Sequence, residues 1–126
     1  MITVVAGVIE RGDRILIAQR KQRGAHPLKW EFPGGKVEPA ELPEAALLRE
    51  LEEELAIRAR IDREITRYQF QYPGRPEILL IFYRVKEFEG EPRNLDFERI
   101  EWVEKQRLTD FDFLEGDADF LKLLTA

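Results

Sequence analysis

The chain has 126 residues, 44% of them apolar and 36% charged, with a net charge of −5 and no cysteine. This length and mix fit one globular domain over residues 1–126, with a core large enough to do without disulfide or metal staples. Disulfides, thiol catalysis and thiolate metal sites are excluded, and the acidic balance argues against a duplex nucleic-acid partner, which would need a basic footprint.

The N-terminal stretch MITVVAGVIE is rich in β-branched residues and reads as a strand, Arg11–Asp13 as a turn and RILIAQ as the returning strand. Gly7, inside the first strand, is expected to admit a second backbone at close range. Nothing here reads as a secretory leader, and a reducing cytoplasm is the expected compartment. The next segment, RKQRGAHPLK, carries Arg20, Lys21, Arg23 and Lys29. It reads either as a solvated basic loop or as a loop that contacts phosphates beside an acidic metal site. His26, the only histidine, reads as solvated.

Trp30 and Phe32 suggest a short strand, and Pro33-Gly34-Gly35 a turn with unusual backbone angles. Pro43 suits the first turn of a helix, and helix formers then run through Leu55. Within that helix RELEEEL crowds four carboxylates into five residues. At 3.6 residues per turn Glu50, Glu53 and Glu54 share one face, Glu52 points away, and Leu47, Leu48, Leu51 and Leu55 form a neighbouring face to be buried. Like charges so spaced cost about 0.2–0.5 kcal/mol per pair. Either water and salt or a bound cation must offset that. A glycine turn followed by carboxylates on one helix face would make an all-oxygen site suited to magnesium.

Beyond the helix, IRARI alternates, and Tyr68, Phe70 and Tyr72 share a face of TRYQFQY. Pro73–Pro76 reads as a hairpin turn and EILLIFYRV as a largely buried strand, with ILLIFY too short to cross a bilayer. EGEPRNLD is a polar loop, RIEWV a short strand and GDADFLKLL a C-terminal amphipathic helix capped by Asp117. Periodicity alone therefore predicts a mixed α and β domain, with no repeat, linker or membrane partner.

From Gly35 to Ile57 the chain resembles a Nudix box, G-x5-E-x7-R-E-U-x-E-E-x-G-U, where U is a bulky aliphatic residue. Gly35 opens it, Glu41 is the first acid, Arg49-Glu50 the R-E pair, Leu51 the aliphatic position, Glu53-Glu54 the E-E pair, and Ile57 closes it. Ala56 stands where the family has glycine, so the turn that ends the helix is expected to differ, alanine being less at ease with positive φ. WEFPGGK, VAGVI, Arg20 and EGEP followed by a Trp-Val strand are similar to MutT-like nucleotide pyrophosphohydrolases, so the likeness spans most of the chain.

The resemblance implies an α+β fold of the Nudix type, an α/β/α sandwich with a central mixed β-sheet. It implies Glu50, Glu53, Glu54 and the Gly34 carbonyl as ligands of magnesium, with manganese able to replace it. Arg49 would orient the acids of the box and Glu41 would support it from behind. A further acid is expected from NLDFERIEW; Asp96 fits the spacing to Trp102 better, with Glu98 as the alternative. The general base would be Glu50 or this loop acid, so Glu50, Glu53, Arg49 and Glu98 are the catalytic candidates. The implied substrate is a nucleoside triphosphate, split into a monophosphate and pyrophosphate. Arg20, Lys36 and Arg75 are candidates for the phosphate oxygens. Asp117 is a candidate reader of the base edge, a purely capping role being the alternative, with Phe32, Tyr68 and Phe70 as candidate walls of the slot. A carboxylate there accepts hydrogen bonds from oxidised guanine or from the amino group of cytosine, and the overall likeness favours 8-oxo-dGTP. Monomer and homodimer are both compatible with the sequence.

Overall fold

The computed structural model describes all 126 residues. Its strands are β1 (Ile2–Arg11), β2 (Arg14–Gln19), β3 (Trp30–Glu31), β4 (Gly34–Lys36), β5 (Arg58–Phe70), β6 (Ile78–Glu89) and β7 (Arg99–Glu104). The helices are α1 (Pro43–Leu55) and α2 (Ala118–Leu124), and 3-10 turns cover Lys105–Asp110 and Glu115–Asp117. Neither 3-10 turn is anticipated by the sequence pattern.

The sheet runs β3-β2-β1-β6-β5, with β4 added alongside β1 and β7 alongside β2. β1 and β6 are parallel, and the other pairs are antiparallel, so the sheet is mixed. Alternation along β1 and β6 divides the core in two. Val5, Ile9, Ile81, Tyr83 and Val85 pack with Leu47, Leu51 and Leu55 of α1. Ala6, Val8, Leu80 and Phe82 face the other way and pack with Phe120 of α2. This is the expected α/β/α sandwich. No helix is long and apolar enough to cross a membrane.

Helix α1 begins at Pro43, as expected, and buries Ala46, Leu47, Leu51 and Leu55. Leu48 departs from the expected apolar face and is 39% exposed. Ala56 also departs from expectation, because it adopts the left-handed cap itself, with φ 58° and its N–H donating to the Glu52 carbonyl at 3.0 Å. The glycine conformation is thus kept with an alanine in it, at a local cost of about 1–2 kcal/mol.

The glycines of the PGG segment are not there for backbone angle. Neither Gly34 nor Gly35 has positive φ, and both lie in β4. A Cβ on Gly34 would sit 1.9 Å from the Val5 carbonyl oxygen, and one on Gly35 would sit 2.6 Å from Cδ of the Glu50 carboxylate. The close backbone approach expected at Gly7 is therefore found at Gly34. Gly7 itself donates to the Pro33 carbonyl at 2.8 Å, and a Cβ there would meet Leu47 and Leu51 at ordinary contact distances.

Candidate active site

The packing of β4 against β1 brings the glycine segment under the acidic face of α1. Arg49 organises the result. Its Nε and Nη2 donate to the two oxygens of Glu41 at 2.8 and 3.0 Å, its Nη1 donates to Glu50 at 2.9 Å, and Nη2 also reaches the Lys36 carbonyl at 3.2 Å. This forked pairing, together with the Glu38 N–H, holds the Glu41 carboxyl down at about 2. Arg49 is thereby fixed from behind, and its free edge sets Glu50 against the space that Gly35 leaves open.

The three box carboxylates point to different depths. Glu50 is 17% exposed at the side chain, and Glu53 is 59% exposed, 3.4 Å from Arg49. Glu54 turns inward, and its Oε1 is buried with no hydrogen-bond partner. Burial first, then the nearby charges of Glu50, Glu31 and Asp96, push the Glu54 carboxyl up to about 9. The side chains do not converge into a ready-made cage of three acids. They do meet the requirements of a hard divalent cation: every donor is oxygen, one buried donor lacks a partner, and negative charge is in local excess.

One cleft of about 520 Å³ runs from this acidic end across the sheet edge. Of the residues expected from sequence it gathers Arg20, Phe32, Gly34, Lys36, Glu54, Arg75, Asp96 and Asp117. Glu50 adjoins it through Gly35, whereas Glu41, Arg49 and Glu53 stand outside its walls. The two loop acids separate: Asp96 lines the cleft, and Glu98 lies in a shallow depression with Lys21, Gln22 and Arg23. Arg20 is engaged within the protein, donating from Nε to the Ala25 carbonyl at 2.9 Å and from Nη1 to Glu31 at 3.0 Å.

Asp117 is 5% exposed, the one buried charged residue of the chain. It starts α2 but makes no side-chain cap hydrogen bond, so the capping role expected for it is not present. Its position is set by neighbours. Trp30 exchanges backbone hydrogen bonds with Asp112 and Leu114 at 2.9 and 3.0 Å, which brings the following turn to the cleft. The Tyr68 hydroxyl donates to the Gly116 carbonyl at 2.7 Å and accepts from the Phe120 N–H at 3.2 Å. The Tyr72 hydroxyl accepts the Gly116 N–H at 2.9 Å. Burial, aided by the charge of Glu31 and opposed by a hydrogen bond from the Phe32 N–H, pushes the Asp117 carboxyl up to about 8.

Tyr68 and Phe70 are not walls of the cleft; Phe32 and Tyr72 are. Tyr68 is spent on holding the Asp117 turn, and Phe70 packs edge-on against Tyr72. Three cleft residues escape a reading of the sequence. Glu31 lies between two buried aromatics and shows itself only through strand alternation. His26 is half-buried and packs against Tyr72 with ring centres 4.5 Å apart. Tyr72 lies two residues past the end of β5 and reaches the cleft only because the hairpin turns there.

The family model for the NUDIX domain matches residues 1–124. The chain is 36% identical over 126 residues to the CTP pyrophosphohydrolase of Escherichia coli (strain K12), covering 100% of this chain and 93% of that protein. It is 38% identical over 125 residues to the 8-oxo-dGTP diphosphatase of Haemophilus influenzae, covering 98% and 91%. The crystal structure of a MutT NUDIX hydrolase from Burkholderia pseudomallei superposes with a TM-score of 0.83 at 26% identity, over 95% of each chain. With the box acids intact and the sandwich in place, this chain belongs to the Nudix hydrolases, in their MutT-like branch.

Proposed function

We propose that the protein is a magnesium-dependent nucleoside triphosphate pyrophosphohydrolase of the cytoplasm, releasing a monophosphate and pyrophosphate, with oxidised guanine nucleotides such as 8-oxo-dGTP as its preferred substrates. The observation that carries this reading is the single cleft that has the buried Glu54 carboxylate at one end and the buried Asp117 carboxyl and Phe32 at the other. Its volume of about 520 Å³ is that of a small-molecule site.

Glu50, Glu53, Glu54, Asp96 and the Gly34 carbonyl would hold the metal. When bound, it neutralises phosphate charge and makes a water acidic enough to supply hydroxide near neutral pH. The chain does the rest. Arg49 holds Glu50 in one orientation, with Glu41 bracing the guanidinium. Glu50 or Asp96 takes the proton of the attacking water. Lys36, Arg75 and Arg20 face the phosphate oxygens from the walls of the cleft. Phe32 offers a flat apolar surface to the base, and Asp117 meets its polar edge. Oxidation at C8 converts guanine N7 from an acceptor into an N–H donor. The free oxygen of the Asp117 carboxyl can accept from that donor.

A cytosine nucleotide is the second reading. It is favoured by the 36% identity over the whole chain to a relative named for CTP, and by the amino group of cytosine, which is also a donor. Both readings are tested by alanine substitution of Arg20, Lys36 and Arg75 and by Asp117→Ala, assayed by pyrophosphate release. The phosphate-facing residues should affect all nucleotides alike, and Asp117 should affect selectivity between bases. A variant that leaves turnover and selectivity intact removes its residue from the proposed role.

A further inference from the structure

The loop between β6 and β7 has no regular secondary structure over residues 91–98, yet it carries Asp96 to the cleft. Two sets of hydrogen bonds hold it. The Arg93 and Leu95 N–H groups donate to the carbonyls of Leu55 and Glu54 at 2.8 and 3.1 Å, and so satisfy the open C-terminal end of α1. Within the loop, Asn94 closes a ring over its own chain. Its Oδ1 accepts the Phe97 N–H at 2.8 Å, and its Nδ2 donates to the Phe97 carbonyl at 2.9 Å. Phe97 is buried in the core on the α1 side, which anchors the far end of the ring.

The geometry points to Asn94 as a positioning residue for Asp96. Asp96 is one of the two residues enclosed by this ring, between Asn94 and Phe97. The same loop is bonded to the carbonyl of Glu54, whose side chain carries the unpartnered buried oxygen. Asp96 is therefore held relative to Glu54 by one short path: the Glu54 carbonyl, Leu95, and the Asn94–Phe97 clamp. An asparagine suits the task because it offers donor and acceptor at once without adding charge beside two carboxylates. Alanine would remove both bonds and leave Asp96, exposed on the loop, held only through its neighbours: the Leu95 N–H on the Glu54 carbonyl and buried Phe97.

The inference rests on the reading of Asp96 as a group that meets the metal and substrate, and the test separates the two. Manganese binding, measured by electron paramagnetic resonance of the free ion, and pyrophosphate release are compared for wild type, Asn94→Ala, Asp96→Asn and the double variant, with each unfolding midpoint recorded. Asn94→Ala should weaken manganese binding and lower kcat about 10-fold, as loss of a supporting hydrogen bond does. Asn94→Ser, whose hydroxyl can accept the Phe97 N–H as in a serine turn, should recover part of both. In the Asp96→Asn background, Asn94→Ala should cost nothing further in either readout. If Asp96→Asn leaves binding and turnover unchanged, the reading of Asp96 fails and the proposal with it. If Asp96→Asn is impaired but Asn94→Ala is silent, or its effect simply adds to that of Asp96→Asn, Asp96 keeps its role and the positioning by Asn94 is refuted.

Discussion

Adjacent glycines in β4 should fail in opposite ways when each is changed to alanine. At Gly34 the added Cβ would lie 1.9 Å from the Val5 carbonyl oxygen and 2.8 Å from the Ala6 Cα, both backbone atoms of a central strand. Neither can move without breaking the pairing of Val5 with Gly35 and Ala6 with Gly34. Overpacking of a rigid site costs about 1–3 kcal/mol and occasionally more, against a total stability of about 5–15 kcal/mol. Gly34→Ala should therefore lower the urea midpoint substantially, at unchanged slope. At Gly35 the three atoms nearest the Cβ all belong to the end of the Glu50 side chain, at 2.6–2.8 Å. Carbon contacts settle near 3.5 Å, so that carboxylate must retreat by roughly 1 Å. The backbone need not move, and the urea midpoint should stay close to wild type. The displaced Glu50 would lose its 2.9 Å bond from Arg49. A displacement of that size in a catalytic group costs about 100-fold in rate. The assay is urea unfolding followed by fluorescence of Trp30 and Trp102, run beside pyrophosphate release. The reasoning is refuted if Gly34→Ala is as stable as wild type, or if Gly35→Ala unfolds as readily as Gly34→Ala while keeping full turnover.

Other substitutions probe the cap, the buried carboxyl and the arginine fork. Ala56→Gly should raise stability by about 0.5–1 kcal/mol, because relief of the left-handed alanine outweighs the extra freedom of an unfolded glycine; an unchanged or lower urea midpoint contradicts this. Asp117 should make the folded state less stable as pH rises. Its folded value is raised from 3.8 to about 8, so between those limits the unfolded chain releases a proton that the folded chain retains. Asp117→Asn should flatten that decline, and thermal unfolding between pH 5 and 8 that falls equally in both proteins would contradict it. Arg49→Lys keeps the charge and loses the fork to Glu41 and the bond to Glu50, so kcat should fall about 10-fold or more with little change in the urea midpoint. Full turnover in that variant would show that Arg49 does not orient the acids.

Much of the architecture was legible because it rests on local patterning. The 3.6-residue spacing of Leu47, Leu51 and Leu55 marked the buried face of α1, and Pro43 marked its start. Strand alternation and the Pro73–Pro76 turn located the β5–β6 hairpin. The glycines were legible as exceptional but not for their true reason: the atoms that exclude a Cβ belong to Val5 and Glu50, far away in sequence, and only the β1–β4 pairing and the α1 packing reveal them. The site divides in the same way. Its acidic half lies on one helix and one turn, so a contiguous motif records it. Its other half is assembled from the loop at 20–29, the end of β5 and the turn at 115–117, and no spacing in the chain announces that Glu31, His26 and Tyr72 meet Asp117 around one cleft. Leu48 shows the converse limit, since a residue on the predicted apolar arc stays 39% exposed.

The central claim is that the cleft hydrolyses a nucleoside triphosphate with its base held at Asp117. The most direct measurement is release of pyrophosphate and monophosphate, with and without magnesium, from 8-oxo-dGTP, dGTP, CTP and dCTP, using Glu53→Gln as the control. The account predicts magnesium-dependent release of pyrophosphate, highest kcat/KM for 8-oxo-dGTP, and loss of turnover in Glu53→Gln. A cytosine nucleotide preferred over 8-oxo-dGTP would keep the chemistry and overturn the assignment of the base. Orthophosphate as the product, or no turnover of any nucleotide, would contradict the account itself.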